Sequence, residues 1–301
     1  MNLSVEICGC KFKNPVIAAS GTFGFGHEFA EWMDISRLGG IALKGLTPLP
    51  RQGNPPPRVA ETAMGMLNSV GLQNPGLEGF LAQETPYLQG LDTVRIANIA
   101  GNTIEDYCTM AQGLRDAPID MLELNISCPN VKEGGVAFGV DPRMVYEVTK
   151  QVLPHCVQPL MVKLSPNAGD IVATALAAQE AGAHALSLIN TLTGMAIDVH
   201  TRKPILANIT GGLSGPAVMP VALRMVWQVA HAVAIPVVGI GGIMTGEDAV
   251  AFLLAGAQAV QVGTANIIKP TACIDIMQGI EAYMCKHNIT DVNELVGALI
   301  S

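Results

Sequence analysis

Ile119-Asp120-Met121-Leu122-Glu123-Leu124-Asn125-Ile126-Ser127-Cys128-Pro129-Asn130 opens with an apolar run and ends in a polar loop. The run reads as a buried strand. The loop carries a thiol and two amides, and a double glycine, Gly134-Gly135, follows at once. Polar groups at the end of an apolar strand cost stability unless they bind something. The stretch therefore marks a strand end that faces a ligand.

Working outward, the same grammar recurs in both directions. Toward the N-terminus, strands are expected at 95–99, 40–43 and 15–19. Toward the C-terminus they are expected at 159–164, 185–190, 236–240 and 259–263. Helical periods fill the intervals at 27–34, 77–88, 104–115, 141–153, 169–181, 217–233 and 246–255, and a last helix covers 271–286. Eight strands alternating with helices favour a (β/α)8 TIM barrel over an open sheet. A doubly wound sheet needs a glycine fingerprint after its first strand, and Ser20-Gly21-Thr22-Phe23-Gly24 fits that poorly. An N-terminal hairpin is expected at 3–12, with Gly9 near its turn. Two insertions interrupt the alternation. The one after strand 2, residues 45–76, is rich in proline and shows no helical period. The one after strand 6, residues 195–209, reads as a hairpin. No linker separates the strands, so residues 1–301 are expected to form one domain.

The bulk numbers agree. A chain of 301 residues suits one α/β barrel. Hydrophobic residues make up 50% and charged residues 14%, which argues for a large core and against disorder. The net charge of −8 disfavours nonspecific binding to nucleic acid or anionic membranes. The seven cysteines are an odd number without CxxC spacing, so no zinc or iron–sulfur motif is visible and no metal site is expected. Reduced thiols, no signal pattern and no apolar run of membrane length point to a cytoplasmic protein.

A barrel of this kind gathers its strand ends on one face, where ligands bind. Here those ends carry Ser20, Lys44, Asn98, Asn125, Lys163, Asn190 and Thr191. Lys163 lies between Val162 and Leu164, which favours a buried, paired amine over a surface lysine. Gly239-Ile240-Gly241-Gly242 and Val262-Gly263-Thr264 end the last two strands, where backbone N–H groups commonly bind phosphate. Glycines alone are a weak signal; two such loops at the correct strands are a stronger one. On grammar alone Cys128 is open between an inert thiol and an acid–base group. Gly134-Gly135 is a candidate hinge for a lid. The histidines at 27, 184, 200 and 231 show no partner spacing.

These residues resemble a known family. Asn125-Ile-Ser-Cys128-Pro-Asn130-Val-Lys is similar to the active-site loop of class 1 dihydroorotate dehydrogenases. Arg51-Gln-Gly-Asn54-Pro-Pro-Pro-Arg58, Met66-Leu-Asn68-Ser-Val-Gly71-Leu72-Gln-Asn74-Pro-Gly and Lys203-Pro-Ile-Leu-Ala-Asn208-Ile-Thr-Gly-Gly-Leu-Ser214-Gly215-Pro extend the likeness over nearly the whole chain. The proline-rich insertion looks closest to the NAD-linked type B catalytic subunit.

The resemblance implies bound FMN and oxidation of dihydroorotate to orotate in pyrimidine synthesis. Cys128 would take the C5 proton while hydride leaves C6 for the flavin. Lys44, Asn68, Ser69, Val70, Gly71, Leu72, Asn125, Asn190 and Thr191 would hold substrate. Ser20, Lys44, Gly45, Asn98, Asn125, Lys163, Ile189, Gly215, Gly241, Gly242, Gly263 and Thr264 would hold FMN. A partner subunit with FAD and a [2Fe–2S] cluster would pass electrons to NAD+, in a heterotetramer built on a homodimer of this chain. The rival readings are a dihydropyrimidine dehydrogenase-like flavin barrel, a barrel lyase or aldolase using Lys163 as a Schiff base, and a catalytically idle scaffold.

Overall fold

The computed structural model describes residues 1–127 and 138–300. Eight parallel strands close into a barrel: β1 (Val16–Ala18), β2 (Gly40–Ala42), β3 (Val94–Ile99), β4 (Met121–Asn125), β5 (Leu160–Lys163), β6 (Ala185–Leu188), β7 (Val237–Ile240) and β8 (Ala259–Val262). Each strand pairs with its neighbours in sequence, and β8 returns to β1 through Val260↔Val16 and Gln261↔Ile17. Both faces of these strands are covered, which is why they read as continuous apolar runs without alternation.

The helices include α1 (His27–Ala30), α2 (Gly76–Gln83), α3 (Ile104–Gly113), α4 (Pro142–Val152), α5 (Ile171–Glu180), α6 (Met219–Ala232), α7 (Gly246–Leu254) and α8 (Ala272–Lys286), with a short one at Thr264–Ile268 after β8. Four of their starts are fixed by side-chain caps. Thr103 and Thr245 form capping boxes with Asp106 and Asp248, and the Asp141 and Asp170 carboxylates accept backbone N–H groups at the starts of α4 and α5. Two helices are shorter than their periods suggest. Only residues 27–30 of the stretch 27–34 are α-helical, and a break at Glu84 before Pro86 divides 77–88 into α2 and Thr85–Gln89. No described helix is long and apolar enough to cross a membrane.

The helical shell leaves little room at one place. A Cβ added to Gly279 in α8 would meet the Gly246 Cα at 2.8 Å, so α7 and α8 touch backbone to backbone. Gly279→Val should cost about 1–3 kcal/mol through overpacking, read as a lower urea midpoint with the unfolding slope unchanged.

The two barrel ends are closed differently. At the bottom lies the expected hairpin, Val5–Ile7 with Cys10–Phe12, turned by Cys8 and Gly9, both at positive φ. The Cys8 thiol donates to the His184 carbonyl and the Cys10 thiol to the Asp120 carbonyl, each just before a barrel strand.

Above the mouth, four antiparallel strands form a separate sheet in the order Leu192–Met195, Thr210–Ser214, Gly65–Asn68 and Val59–Thr62. Residues 45–76, expected only as an insertion without a helical period, thus carry strands. That segment contains a hairpin whose partner, Thr210–Ser214, follows directly on the insertion expected at 195–209, which therefore extends further than its sequence suggests. The pairing is long-range and the strands are four or five residues long, so no local period announces it. The hairpin expected at 195–209 is present as Ile197–Asp198 paired with Lys203–Pro204, at the tip of a longer strand pair.

Candidate active site

A cavity of about 500 Å³ opens at the carboxyl ends of the barrel strands, between the barrel and the extra sheet. Ser20, Lys44, Gly45, Asn98, Asn125 and Lys163 line it from β1 to β5. Ile189, Asn190, Thr191, Gly241, Gly242, Gly263 and Thr264 line it from β6 to β8. Asn68, Ser69, Val70, Gly71, Leu72 and Gly215 close it from the insertions. Cys128 and Gly134-Gly135 lie outside the described residues; Ser127, next to Cys128, lines the cavity.

Behind Asn98 and Lys163, which line the cavity, sits a residue that the sequence reading did not single out. Glu123 is fully buried. Its Oε1 accepts from Ser187 Oγ at 2.9 Å and Gln261 Nε2 at 2.7 Å. Its Oε2 accepts from Asn98 Nδ2 at 2.6 Å and Lys163 Nζ at 3.3 Å. Burial alone raises a carboxyl pKa. The Lys163 ammonium and the hydrogen bonds from Gln261, Asn98 and Ser187 outweigh it and hold Glu123 below the usual range. Lys163 is 6% exposed and also reaches Gln261 Oε1 at 3.5 Å. The signal that could have found this layer was a polar residue inside each apolar strand: Glu123, Ser187 and Gln261.

From Asn98 a chain of amides climbs toward the mouth. Asn125 Nδ2 donates to Asn98 Oδ1 at 3.3 Å, and Asn190 Nδ2 donates to Asn125 Oδ1 at 3.1 Å. The Thr191 N–H donates to Asn190 Oδ1 at 2.8 Å. Asn167, another residue the sequence reading passed over, donates to the Thr191 carbonyl and accepts from the Thr193 N–H. Three carboxamides with paired donors and acceptors suit a ring that carries imide-like N–H and C=O groups.

Opposite the amides, the segment from Asn68 to Leu72 is held in an unusual shape. Gly71 and Leu72 both have positive φ, and a Cβ on Gly71 would meet Asn54 at under 3 Å. The Arg58 guanidinium ties this region together by donating to Gln73 Oε1 and to the Gln52 and Asn54 carbonyls. Lys44 is half-buried beside it. Its pKa is lowered, first by burial and then by the Arg58 charge, with Glu28 opposing. Its ammonium makes no hydrogen bond among the described residues, which leaves it available to an anion.

The glycine-rich side fits a phosphate. Gly215, Gly241 and Gly242 adopt positive φ, which lets the backbone turn tightly around the cavity wall. Around Gly263 the nearest atom to an added Cβ is 3.7 Å away, and around Gly21 there is none within 4 Å. These gaps form a cradle that side chains would fill. Thr264 Oγ1 donates to Ser214 Oγ at 2.9 Å on the same wall. Glycine backbone, a hydroxyl pair, a buried lysine and amides along one wall form a donor set that fits a flavin mononucleotide.

No other described thiol competes for a role here. Burial pushes Cys8 up to about 11, and Cys156 and Cys273 up to about 12. Cys10 and Cys108 are raised for the same reason. None of them, nor the exposed Cys285, lines the cavity.

The comparisons with known proteins agree with one another. The family model for dihydroorotate dehydrogenase matches residues 2–284. The chain is 59% identical over 299 residues to a protein of Alkaliphilus metalliredigens, covering 99% of each. It is 56% identical over 301 residues to one of Geotalea uraniireducens, covering 100% of this chain and 99% of the relative. It is 53% identical over 299 residues to one of Thermoanaerobacter pseudethanolicus, covering 99% of each. All three carry the name dihydroorotate dehydrogenase B (NAD(+)), catalytic subunit.

Proposed function

The chain belongs to the dihydroorotate dehydrogenase family, and from that premise we propose that it is the FMN-carrying catalytic subunit of an NAD+-linked, type B enzyme. It oxidises dihydroorotate to orotate in pyrimidine synthesis. The observation that carries this reading is the shared cavity, in which one wall suits FMN and the other a small anionic ring.

When bound, FMN supplies the acceptor for the two electrons that leave the substrate. Ser20, Gly45, Asn98, Lys163, Ile189, Gly215, Gly241, Gly242, Gly263 and Thr264 would hold it. Lys163, charged and buried, favours added negative charge on the ring it faces. Lys44 opposes the substrate carboxylate. The segment Asn68-Ser69-Val70-Gly71-Leu72, together with Asn125, Asn190 and Thr191, holds the substrate ring. Cys128 removes the C5 proton. The whole chain, residues 1–301, acts as one FMN-binding domain in the cytoplasm.

A Schiff-base lyase reading of Lys163 is disfavoured by Glu123, since a nucleophilic amine must be neutral and an ion pair with a buried carboxylate opposes that. Gly71→Ala should strain the turn and raise KM for dihydroorotate by roughly tenfold, from about 1–2 kcal/mol of left-handed backbone cost, while FMN content stays unchanged.

The relatives' name, catalytic subunit, supports a partner. In this reading a second subunit with FAD and [2Fe–2S] passes the electrons to NAD+, in a heterotetramer with a homodimer of this chain at its centre. The purified chain alone should carry FMN, be reduced by dihydroorotate and pass electrons to NAD+ only slowly. Adding the second subunit should restore rapid NAD+ reduction. Rapid NAD+ reduction by the lone chain would overturn the type B reading.

A further inference from the structure

We propose that Glu123 is a positioning residue for the reaction: it supplies the counter-charge for Lys163 and fixes which way the Asn98, Asn125 and Asn190 amides point. A carboxylate only accepts, so Asn98 must turn its N–H₂ toward Glu123 and its oxygen toward Asn125. Asn125 must then donate to Asn98 and accept from Asn190. The far end is fixed by the Thr191 N–H, a donor, on Asn190 Oδ1. The chain of amides thus runs in one direction between a charged acceptor and a backbone donor.

Charge makes the same case. Among the buried described residues, Glu123 and Lys163 are the only two with charged side chains. The groups facing Glu123 come from β3 (Asn98), β5 (Lys163), β6 (Ser187) and β8 (Gln261), and of these only Lys163 titrates. Lys44, with Arg58 and Glu28 around it, completes the charged groups toward the cavity mouth. Without Glu123, Lys163 would be an unpaired buried cation, a state proteins avoid by releasing the proton.

The inference rests on the FMN assignment, and the test separates the two. The reduction potential of the FMN-loaded full-length chain is followed against pH from 7 to 9, since its slope counts the protons taken up with two electrons. The wild type, with Lys163 already charged, should take up one. Glu123→Gln should take up two, because reduction then draws a second proton onto Lys163. Ser187→Ala removes one hydrogen bond from the same carboxylate without touching its charge, and should keep the count at one. A count of one in Glu123→Gln, or of two in the wild type or in Ser187→Ala, overturns the proposal. If Glu123→Gln cannot be loaded with FMN, the wild-type count decides: one sustains the proposal and two overturns it. A wild-type chain that takes up no FMN on reconstitution overturns the cofactor reading as well.

Discussion

Cys128→Ala is expected to leave FMN bound while slowing flavin reduction by dihydroorotate by ~10²–10⁴, the usual worth of a positioned base. The expectation starts from position. Cys128 follows Ser127, which lines the cavity, and comes three residues after Asn125 at the end of β4. A thiol with an ordinary pKa of ~8.5 can accept a proton near neutral pH if its thiolate is modestly stabilised. Cys8, Cys156 and Cys273, raised to about 11 to 12 and away from the cavity, cannot substitute for it. Cys128→Ser should be nearly as slow at pH 7, because a hydroxyl is a far weaker acid, and should recover partly as pH rises. Anaerobic stopped-flow mixing with dihydroorotate reads both variants directly. Unchanged flavin reduction in Cys128→Ala would remove Cys128 from the chemistry.

Lys163→Met is expected to fail more broadly, losing FMN and about 3–5 kcal/mol of folding stability, because it leaves Glu123 buried and unpaired. The pH dependence follows from the sign of the Glu123 shift. In the wild type Glu123 is depressed, so its contribution is fully present above the ordinary Glu value of ~4.3 and is lost as pH falls through its lower folded value. In Lys163→Met burial acts without the ammonium and pushes the same carboxyl up, so its penalty is largest at neutral pH and fades on acidification. Both changes narrow the gap between variant and wild type as pH falls. Urea midpoints at pH 7 and pH 5 measure that gap, which should be smaller at pH 5. Adding Glu123→Gln to Lys163→Met should restore part of the stability at pH 7, since the unpaired charge is then gone. A double variant as weak as Lys163→Met would mean the loss comes from packing.

Much of the barrel was legible because its parallel strands are buried on both faces and four of its helices start with side-chain caps. Val237–Ile240 and Ala259–Val262 are apolar runs of strand length, and Thr245 with Asp248 announces the helix between them. The extra sheet was not legible. Met66 pairs with Ser214 across about half of the chain, and strands of four or five residues carry no period of their own. The first helix was overextended: it ends at Ala30, and Trp32, 65% exposed, gives the residues after it little apolar face to bury.

The site divides in the same way. Strand-end lysines and amides stand out because a polar group after an apolar run needs a reason, and nineteen residues named on such grounds or by resemblance line the cavity. Glu123 does not stand out within its apolar run. Its four hydrogen bonds arrive from β3, β5, β6 and β8, and only the closed barrel brings those strands together. The conformation around Cys128 lies beyond the described residues, so its role rests on its place in the chain and on the family resemblance.

The most direct measurement is the visible spectrum of the purified chain before and after anaerobic addition of dihydroorotate. The account requires a yellow protein with one FMN per chain that bleaches with dihydroorotate and stays yellow with dihydrouracil. A chain that binds no flavin, or a flavin that dihydroorotate leaves oxidised, would contradict it.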